Sequence, residues 1–148
     1  MRLVTIKQEM FSSYLADNEI LRKSGRPCVL ILRLKYHNRY YDFAVPLRSN
    51  ISPKTPKNQY FALPPRSTTK SNHRHGIHYI KMFPIKKEWL LRYRIDDNIA
   101  AIRTKKIIDA NERIIVKSCQ EYLARYENGD RSPFSTDIDL LISILESK

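Results

Sequence analysis

Residues 28–47 of the chain read CVLILRLKYHNRYYDFAVPL. The runs Cys28–Tyr36 and Arg39–Leu47 are rich in β-branched and aromatic residues, and they predict two neighbouring strands. The pair His37-Asn38 predicts a tight turn between them, because asparagine tolerates the left-handed backbone conformation that such a turn requires. The sequence therefore predicts a β-hairpin near the middle of the chain.

Strict alternation along the first strand predicts that its two faces differ in chemistry. One face carries three leucines, namely Leu30, Leu32 and Leu34. The other face begins with Val29 and Ile31 and then becomes charged at Arg33 and Lys35. This second face is therefore expected to leave the core toward the turn of the hairpin.

The segments around the hairpin alternate between short strands and polar loops. Further strands are expected at residues 2–6 and 77–85, and residues 60–63 form a short apolar run that Pro64-Pro65 ends. Loops are expected at Arg48–Lys57 and at Arg66–Gly76, because prolines, hydroxyl residues and basic residues dominate both segments.

Helical spacing of apolar residues occurs toward both ends of the chain. It predicts a short helix within Glu9–Leu21 and a long helical region over Asn98–Tyr126, long enough to be kinked or split. Asn128-Gly129 is a helix stop signal. A C-terminal helix is predicted by an i, i+3, i+4, i+7 stripe, formed by Ile138, Leu141, Ile142 and Leu145. Strands in the middle and helices at both ends predict the α+β class.

The composition excludes several classes of protein. The 148 residues suit one domain, and a hydrophobic content of 42% excludes a disordered tail. The longest strongly apolar run, residues 28–32, is too short to span a bilayer. Cys28 and Cys119 are far apart and lie in apolar patterns, so they are interpreted as buried thiols. No secretory segment is recognised near Met1, and a cytoplasmic protein without membrane contact is expected.

Positive charge is concentrated in the middle of the chain. Residues 22–94 contain 17 Lys and Arg against two acids, a net charge of +15, whereas the remaining residues carry −3. A segment of one sign favours a polyanionic partner, because each neutralised phosphate releases condensed counterions. The alternative interpretation is a basic protein whose charge serves only solubility.

Most familiar catalytic signatures are missing from the sequence. Three glycines are too few for a glycine-rich phosphate loop or a dinucleotide fingerprint, so no cofactor is expected. His73, His75 and His78 cluster around Arg74, but no nearby Cys or carboxylate completes a metal site. The cluster is either a phosphate-facing loop, in which His73 or His78 transfers protons, or a solvated loop at the start of a strand.

The pair Arg48-Ser49 is predicted to stand at the end of the second hairpin strand. Residues at that position are held by a rigid scaffold and remain accessible. The arginine fork suits phosphate oxygens, and Lys54 and Lys57 follow within reach of the same surface. A turn that merely carries surface charges is the competing interpretation. Among the tyrosines, Tyr36 and Tyr40 flank the hairpin turn, and they are the best candidates to stack on unpaired bases.

Three segments in a fixed order resemble one protein family. They are Gly25–Ile31, which enters a strand, Tyr40–Ser49, which ends in Val-Pro-Leu-Arg-Ser, and Gly76–Ile85; a long helix over Ile107–Tyr126 follows. Over nearly its full length the chain is similar to the ToxN/AbiQ family, the endoribonuclease toxins of type III toxin–antitoxin systems, and especially to the TenpN branch.

The resemblance implies both a fold and an activity. The fold would be a compact, strongly bent antiparallel sheet like that of Kid/MazF toxins, with helices packed around it. The activity would be metal-independent RNA cleavage, in which the substrate's 2′-hydroxyl attacks the adjacent phosphorus and leaves 2′,3′-cyclic phosphate and 5′-hydroxyl ends. The partner would be a repetitive RNA pseudoknot antitoxin that assembles with the toxin into a closed complex.

The family pattern matches the chain most directly at Ser49, which follows a Pro-Leu pair and one further residue. Where the family usually has a small hydroxyl residue before that serine, this chain has Arg48. The lysine that usually follows closely is represented by Lys54, and Arg26 corresponds to a basic residue beside the proline before the first long strand.

The sequence therefore predicts one endoribonuclease toxin domain over residues 1–148. The predicted catalytic residues are Ser49, Arg48, Arg26, Lys54 and His78. The predicted RNA-binding residues are Lys35, Tyr36, Tyr40, Lys57, Arg66, Lys70, His73, Arg74 and His75. The alternatives are a non-catalytic RNA- or DNA-binding module and an assembly factor that docks on an acidic protein.

Overall fold

The computed structural model describes all 148 residues and has the α+β architecture that the sequence predicts. Seven antiparallel strands form one sheet: β1 (Arg2–Ile6), β2 (Cys28–Tyr36), β3 (Arg39–Ile51), β4 (Tyr60–Leu63), β5 (Arg74–His78), β6 (Phe83–Pro84) and β7 (Leu90–Arg92). The strand order is β4-β5-β3-β2-β1-β7, and β6 pairs with β3. The helices are α1 (Gln8–Ser13), α2 (Ile99–Ala110), α3 (Glu112–Glu127) and α4 (Ile138–Glu146). None of them combines the length and the apolar composition that crossing a membrane demands.

The β2–β3 hairpin is confirmed, together with its two-residue turn. His37 and Asn38 both have positive φ angles, 49° and 62°, as a twisted two-residue turn requires. The predicted alternation fails after Ile31, because a bulge interrupts the pairing there. Arg33 lies in the bulge with φ 60°, and its backbone N–H donates to Asp42 Oδ1 at 3.0 Å. One inserted residue exchanges the two faces of the strand.

The bulge explains why both ends of β2 are buried on the same side. Val29 and Ile31 before it, and Leu34 and Tyr36 after it, all belong to one core cluster, whereas Leu32 is 62% exposed. That cluster is covered by α3 through residues such as Ile115, Cys119, Leu123 and Tyr126.

A second core cluster lies on the opposite face of the sheet. It contains Cys28 and Leu30 of β2, together with Trp89, Met10 and Tyr14 from the segments around β7 and α1. Cys28 and Cys119 are both buried free thiols, as the sequence predicts. Because both faces of β2 and β3 are covered, the hairpin forms the centre of the molecule.

Two adjoining predicted boundaries are wrong: the end of the second hairpin strand and the start of the loop that follows it. β3 does not end at Leu47 but continues to Ile51, because its last residues pair with β5. A second bulge interrupts this pairing between Arg48 and Ile51. The side chain of Asn50 also holds the neighbouring loop, donating to Thr68 O at 3.2 Å and accepting from Lys70 N at 2.7 Å. Residues 48–51 are therefore strand, and the predicted loop begins after them.

The predicted strand over residues 77–85 is also divided differently. β5 starts at Arg74 and ends at His78, and the chain then makes a single 3₁₀ turn over Tyr79–Lys81 before β6. Gly76 permits this arrangement, because a Cβ atom at that position would lie 2.4 Å from Phe61 O on β4. The residues of this turn therefore lie beside the sheet, and the chain enters the sheet again at β6.

The helices end where polar side chains satisfy backbone groups. The predicted helix over Glu9–Leu21 stops at Ser13, because the Arg22 guanidinium binds the carbonyl oxygens of Phe11, Tyr14 and Asp17 and holds the next segment in turns. The long region over residues 98–126 divides at Asn111, whose amide donates to Ile107 O at 2.8 Å. Asn side chains that bind the backbone in this way compete with helix continuation.

Candidate active site

A polar cleft of about 720 Å³ opens where four segments of the chain meet. β3 and the loop after it form one side, and the end of β5 with the following 3₁₀ turn forms the floor. The loop between α3 and α4 and the segment after α1 complete the rim. Three residues predicted to be catalytic line this cleft: Arg48, Lys54 and His78.

The pairing of β3 with β5 brings Arg48 and His78 to the same face of the sheet. Arg48 pairs directly with Gly76, and His78 lies two residues further along β5. Side chains two residues apart on a strand share a face. Because Gly76 has no side chain, nothing from that position separates the guanidinium from the imidazole.

His78 is buried and has no hydrogen-bond partner within the protein. The residue is 3% exposed, and neither ring nitrogen, Nδ1 or Nε2, has a partner. Burial, followed by the positive charges of Arg48, Lys81 and Arg26, lowers the pKa of His78 to about 3. The imidazole is therefore neutral at physiological pH, and its two ring nitrogens, one an acceptor and one a donor, are buried without a partner.

Lys81 is a cleft residue that the sequence analysis missed. It is only 6% exposed, and its Nζ donates to Glu19 Oε1 at 2.9 Å and to Phe134 O at 2.7 Å. The 3₁₀ turn after β5 carries it to the floor of the cleft. The available signal was a single lysine within the apolar run from Tyr79 to Phe83, since a charge is rarely buried unless it is paired.

Arg26 stands next to the cleft without lining it. Its guanidinium donates to Leu47 O at 2.9 Å, and its Nε is buried without a partner. Burial is the main cause that lowers the pKa of Arg26, and the charge of Arg48 adds to it. Arg26 therefore contributes positive potential to the site from behind β3.

Ser49 is half-buried and does not line the cleft. Arg48 and Asn50, on either side of it, both do. Ser49 lies in the stretch between Arg48 and Ile51 where a bulge interrupts the pairing of β3 with β5, so its side chain is positioned apart from those of its two neighbours.

Two of the residues predicted to bind RNA are buried in other roles, and those two predictions are wrong. Tyr36 is 1% exposed and its hydroxyl donates to Asp139 Oδ1 at 2.6 Å, so its ring is part of the core rather than a stacking surface. His75 is 2% exposed, and its Nδ1 is bonded to Pro64 O at 2.9 Å. Burial lowers the pKa of His75, which keeps it neutral in this position.

The other predicted RNA-binding residues are accessible but lie in different places. Lys57 is exposed on the 3₁₀ turn Lys57–Gln59, whose last residue lines the cleft. Lys35 and Tyr40 pair at the end of the hairpin and line a separate recess against α3. The remaining four are exposed or half-exposed along the segment before and at the start of β5: Arg66, Lys70, His73 and Arg74.

The described side chains form no group of three or more His, Cys, Asp or Glu that could hold a metal ion. The chemistry that the cleft itself offers is that of cations and one neutral imidazole. Such a set can bind a phosphate group and transfer a proton beside it.

Comparison with solved structures shows that the fold is shared with known proteins. One similar structure concerns a processed non-coding RNA that regulates a bacterial antiviral system; it is 14% identical with a TM-score of 0.75, and the alignment covers 100% of this chain and 99% of that one. Another concerns selective toxin inhibition by a non-coding RNA pseudoknot in bacterial type III toxin–antitoxin systems, with 18% identity, a TM-score of 0.74 and coverages of 99% and 96%.

A third similar structure is AbiQ, a lactococcal anti-phage endoribonuclease belonging to the type III toxin–antitoxin system. It is 15% identical, with a TM-score of 0.71, and the alignment covers 99% of this chain and 98% of AbiQ. No protein-family model matches the sequence, and no curated protein is similar to it. The similarity is therefore one of fold along the whole chain.

Proposed function

We propose that the chain is an endoribonuclease toxin of the ToxN/AbiQ family. The proposal is carried by one observation: a buried, unpartnered imidazole lies among three cationic side chains in a cleft of the fold that AbiQ also has. A binding module needs the cations, but it has no need of a neutral proton acceptor in their midst. The site therefore favours cleavage over binding alone.

Arg48, Lys54 and Lys81 bind the scissile phosphate in this proposal. All three line the cleft, and Arg48 offers a planar fork to two phosphate oxygens. Negative charge grows on these oxygens when the phosphorus becomes five-coordinate, and fixed cations stabilise that state more than the ground state. Arg26 adds to the positive potential from behind the strand.

His78 is the proposed proton acceptor. Burial lowers the pKa of His78 most in the free protein, and the nearby positive charges lower it further. A phosphate that enters the cleft offsets these charges, so RNA binding raises the pKa of the imidazole. His78 then takes the proton of the 2′-hydroxyl as its oxygen attacks phosphorus. The O2′–P bond forms, the P–O5′ bond breaks, and the leaving O5′ takes a proton from water, which leaves 2′,3′-cyclic phosphate and 5′-hydroxyl ends and a hydroxide that neutralises the protonated His78.

Ser49, which matches the family pattern, is proposed as a hydrogen-bond donor to the phosphate or the 2′-hydroxyl. It is not proposed as a covalent nucleophile, because no base adjoins it to activate the hydroxyl. Because Ser49 does not line the cleft, an RNA bound to Arg48 must extend beyond the cleft to reach it. Ser49→Ala is expected to slow cleavage while leaving the thermal midpoint unchanged, and Ser12→Ala, an exposed serine on α1, is the matched control.

The proposed partner is an RNA antitoxin with repeated pseudoknots, which forms a closed complex with the toxin in the cytoplasm. One of the similar structures concerns inhibition of a toxin by such a pseudoknot. The net charge of +15 on residues 22–94 suits both an RNA substrate and an RNA inhibitor.

The proposal is tested by mapping the ends of RNA fragments made by the purified protein in excess EDTA. We expect 2′,3′-cyclic phosphate ends, and we expect His78→Ala to lower the rate by a factor of 100 or more, on the order of what a general base contributes. His37→Ala, at the exposed hairpin turn, should retain full activity. Intact RNA that still binds the protein would indicate a binding module instead, and failure to bind RNA at low salt would indicate an assembly factor.

A further inference from the structure

Phe134 is a large apolar side chain that the structure leaves in water at the rim of the cleft. It is 65% exposed and lies among lining residues that are mostly polar. Aromatic rings of soluble domains are usually buried, so an exposed ring beside a site of positive charge indicates a binding surface. Neither the proposed phosphate contacts nor the proton transfer makes use of this ring.

The loop that carries Phe134 is held rigidly on both sides of the ring. Thr136 is fully buried, its N–H donates to Ile80 O at 3.0 Å, and its hydroxyl donates to Met82 O. Ser132 accepts from the Phe134 N–H at 3.2 Å through its side chain and from the Ser135 hydroxyl at 2.7 Å through its carbonyl. The backbone that carries the exposed ring is therefore held in place.

The backbone of Phe134 is also bonded to a cation of the proposed phosphate site. The carbonyl oxygen of Phe134 accepts from Lys81 Nζ at 2.7 Å, so this residue and the buried cation are neighbours. A base that stacks on Phe134 would therefore lie close to a phosphate bound by Lys81.

Gln59 supplies free polar atoms to the same cleft. Its side chain lines the cleft, is half-exposed and makes no hydrogen bond within the protein. The 3₁₀ turn that carries it is attached to α3 through Arg125, whose guanidinium donates to Asn58 O at 3.0 Å. α3 leads directly into the Phe134 loop, so the turn that carries Gln59 and the loop that carries Phe134 are both attached to this helix.

From these contacts we infer a nucleobase site beside the scissile phosphate. Phe134 stacks on one unpaired base, and the amide of Gln59, with its donors and its acceptor, forms hydrogen bonds to the edge of that base. This inference rests on the proposed endoribonuclease function and adds the element that selects the substrate. It requires a single-stranded RNA at the cut, because a paired base cannot turn its face to the ring.

The test compares variants on one RNA whose cut has been mapped with the wild-type protein. Phe134→Ala should lower kcat/KM by about 5- to 150-fold, the range that follows from loss of one base–aromatic stack. Phe134→Trp should retain activity, and Phe134→Leu should lose it although it keeps an apolar side chain. Ile114→Ala, which truncates an equally exposed apolar residue on α3, should have no effect.

Abasic substitution in the RNA then locates the site. For the wild-type protein, removing the base at one position next to the cut should lower kcat/KM about as much as Phe134→Ala does. For the Phe134→Ala variant, the same abasic RNA should lower kcat/KM no further. Gln59→Ala should reduce the sequence preference at that same position. Thermal unfolding should show unchanged midpoints, because neither side chain is buried.

Two negative results have different meanings. If the wild-type protein cuts no RNA, the proposed function fails and the nucleobase site falls with it. The other negative result is that the wild-type protein cuts RNA, but every abasic position lowers kcat/KM by the same factor in the wild type and in Phe134→Ala. The proposed endoribonuclease function then stands, and the nucleobase site is wrong.

Discussion

The protonation of His78 gives the folded protein a distinct pH dependence. The pKa of His78 is about 3 in the folded state, below the ordinary value of 6.5. Between these values the unfolded chain binds a proton that the folded chain does not, so the free energy of unfolding decreases as the pH falls from about 6.5 toward 3. One such group contributes up to about 1.4 kcal/mol per pH unit. His78→Gln should make the pH dependence of the free energy of unfolding shallower in this window.

The control for this experiment is His37→Gln, which removes an exposed imidazole from the hairpin turn. It should leave the slope close to that of the wild type. Part of the slope should survive in His78→Gln, because burial also lowers the pKa of His75. Equal slopes for wild type and His78→Gln would contradict the burial of a neutral imidazole at the cleft floor.

Glu19 is the only acid that lines the cationic cleft, and it holds Lys81 in the RNA-free protein. A phosphate that approaches Lys81 must compete with this carboxylate. Glu19→Gln removes the competing charge and should tighten the binding of an uncleavable 2′-methoxy RNA by about 2- to 5-fold, since a partly exposed pair is worth up to about 1 kcal/mol. The dissociation constant is to be compared with that of Glu88→Gln, the same change of charge at an exposed site away from the cleft. An equal gain in both variants would mean that only net charge matters.

At the level of the elements, the sequence predicts what depends on near neighbours. The hairpin and its turn follow from local β propensity and from Asn38, and the C-terminal helix follows from its apolar stripe with Asp137 as its cap. The bulge at Arg33 was not predicted, because its stabilising acceptor, Asp42, lies on the partner strand. The extension of β3 was missed for the same reason, since it depends on pairing with β5 across a long loop.

The site divides in the same way between local and distant information. Arg48, Lys54 and His78 were found because each is a charged or titratable residue near a strand end. Lys81 and Phe134 were missed because their importance comes from segments that are distant in sequence, Lys81 being held by the carboxylate of Glu19 and a loop carbonyl. Spacing within one segment carries no information about such contacts.

Gly76 lies where β4 approaches β5 closely, and it pairs with the cleft residue Arg48. A Cβ atom there would lie 2.4 Å from Phe61 O, a backbone atom that cannot move without shifting β4. Gly76→Ala should therefore lower the free energy of unfolding by about 2–3 kcal/mol, as overpacking does, and it should slow cleavage by displacing His78. Chemical denaturation measures the first effect.

Gly25→Ala is the control for this substitution. Gly25 has φ +76° but no atom within 4 Å of an added Cβ, so it tests backbone strain without a clash. Its cost should be about 1 kcal/mol. If both substitutions cost the same, the close approach of β4 to β5 is not what requires glycine at position 76.

At the scale of the whole molecule, the structure explains why charge is segregated along the sequence. The basic segment, residues 22–94, contains the central hairpin, β4, β5 and most of the cleft. The remainder supplies α3 and α4, which cover the sheet and satisfy backbone and hydroxyl groups with acids such as Glu127 and Asp139. Acids outside the basic segment are therefore used for internal contacts, and exposed cations of the middle segment, such as Lys54 and Lys57, remain on the solvent side.

This arrangement makes the salt dependence of RNA binding a measure of which cations contact phosphates. For single strands, the slope of log K against log salt changes by about 0.7 for each phosphate contact. Lys54→Met removes an exposed cleft cation and should reduce the magnitude of the slope by about that amount.

Lys106→Met, an equal loss of charge on α2 outside the basic segment, should leave the slope unchanged, because a distant charge shifts affinity without releasing a counterion from the bound strand. Titration of an uncleavable RNA from 50 to about 200 mM salt distinguishes the two. A slope reduced equally by both variants would mean that RNA covers the surface without preference for the cleft.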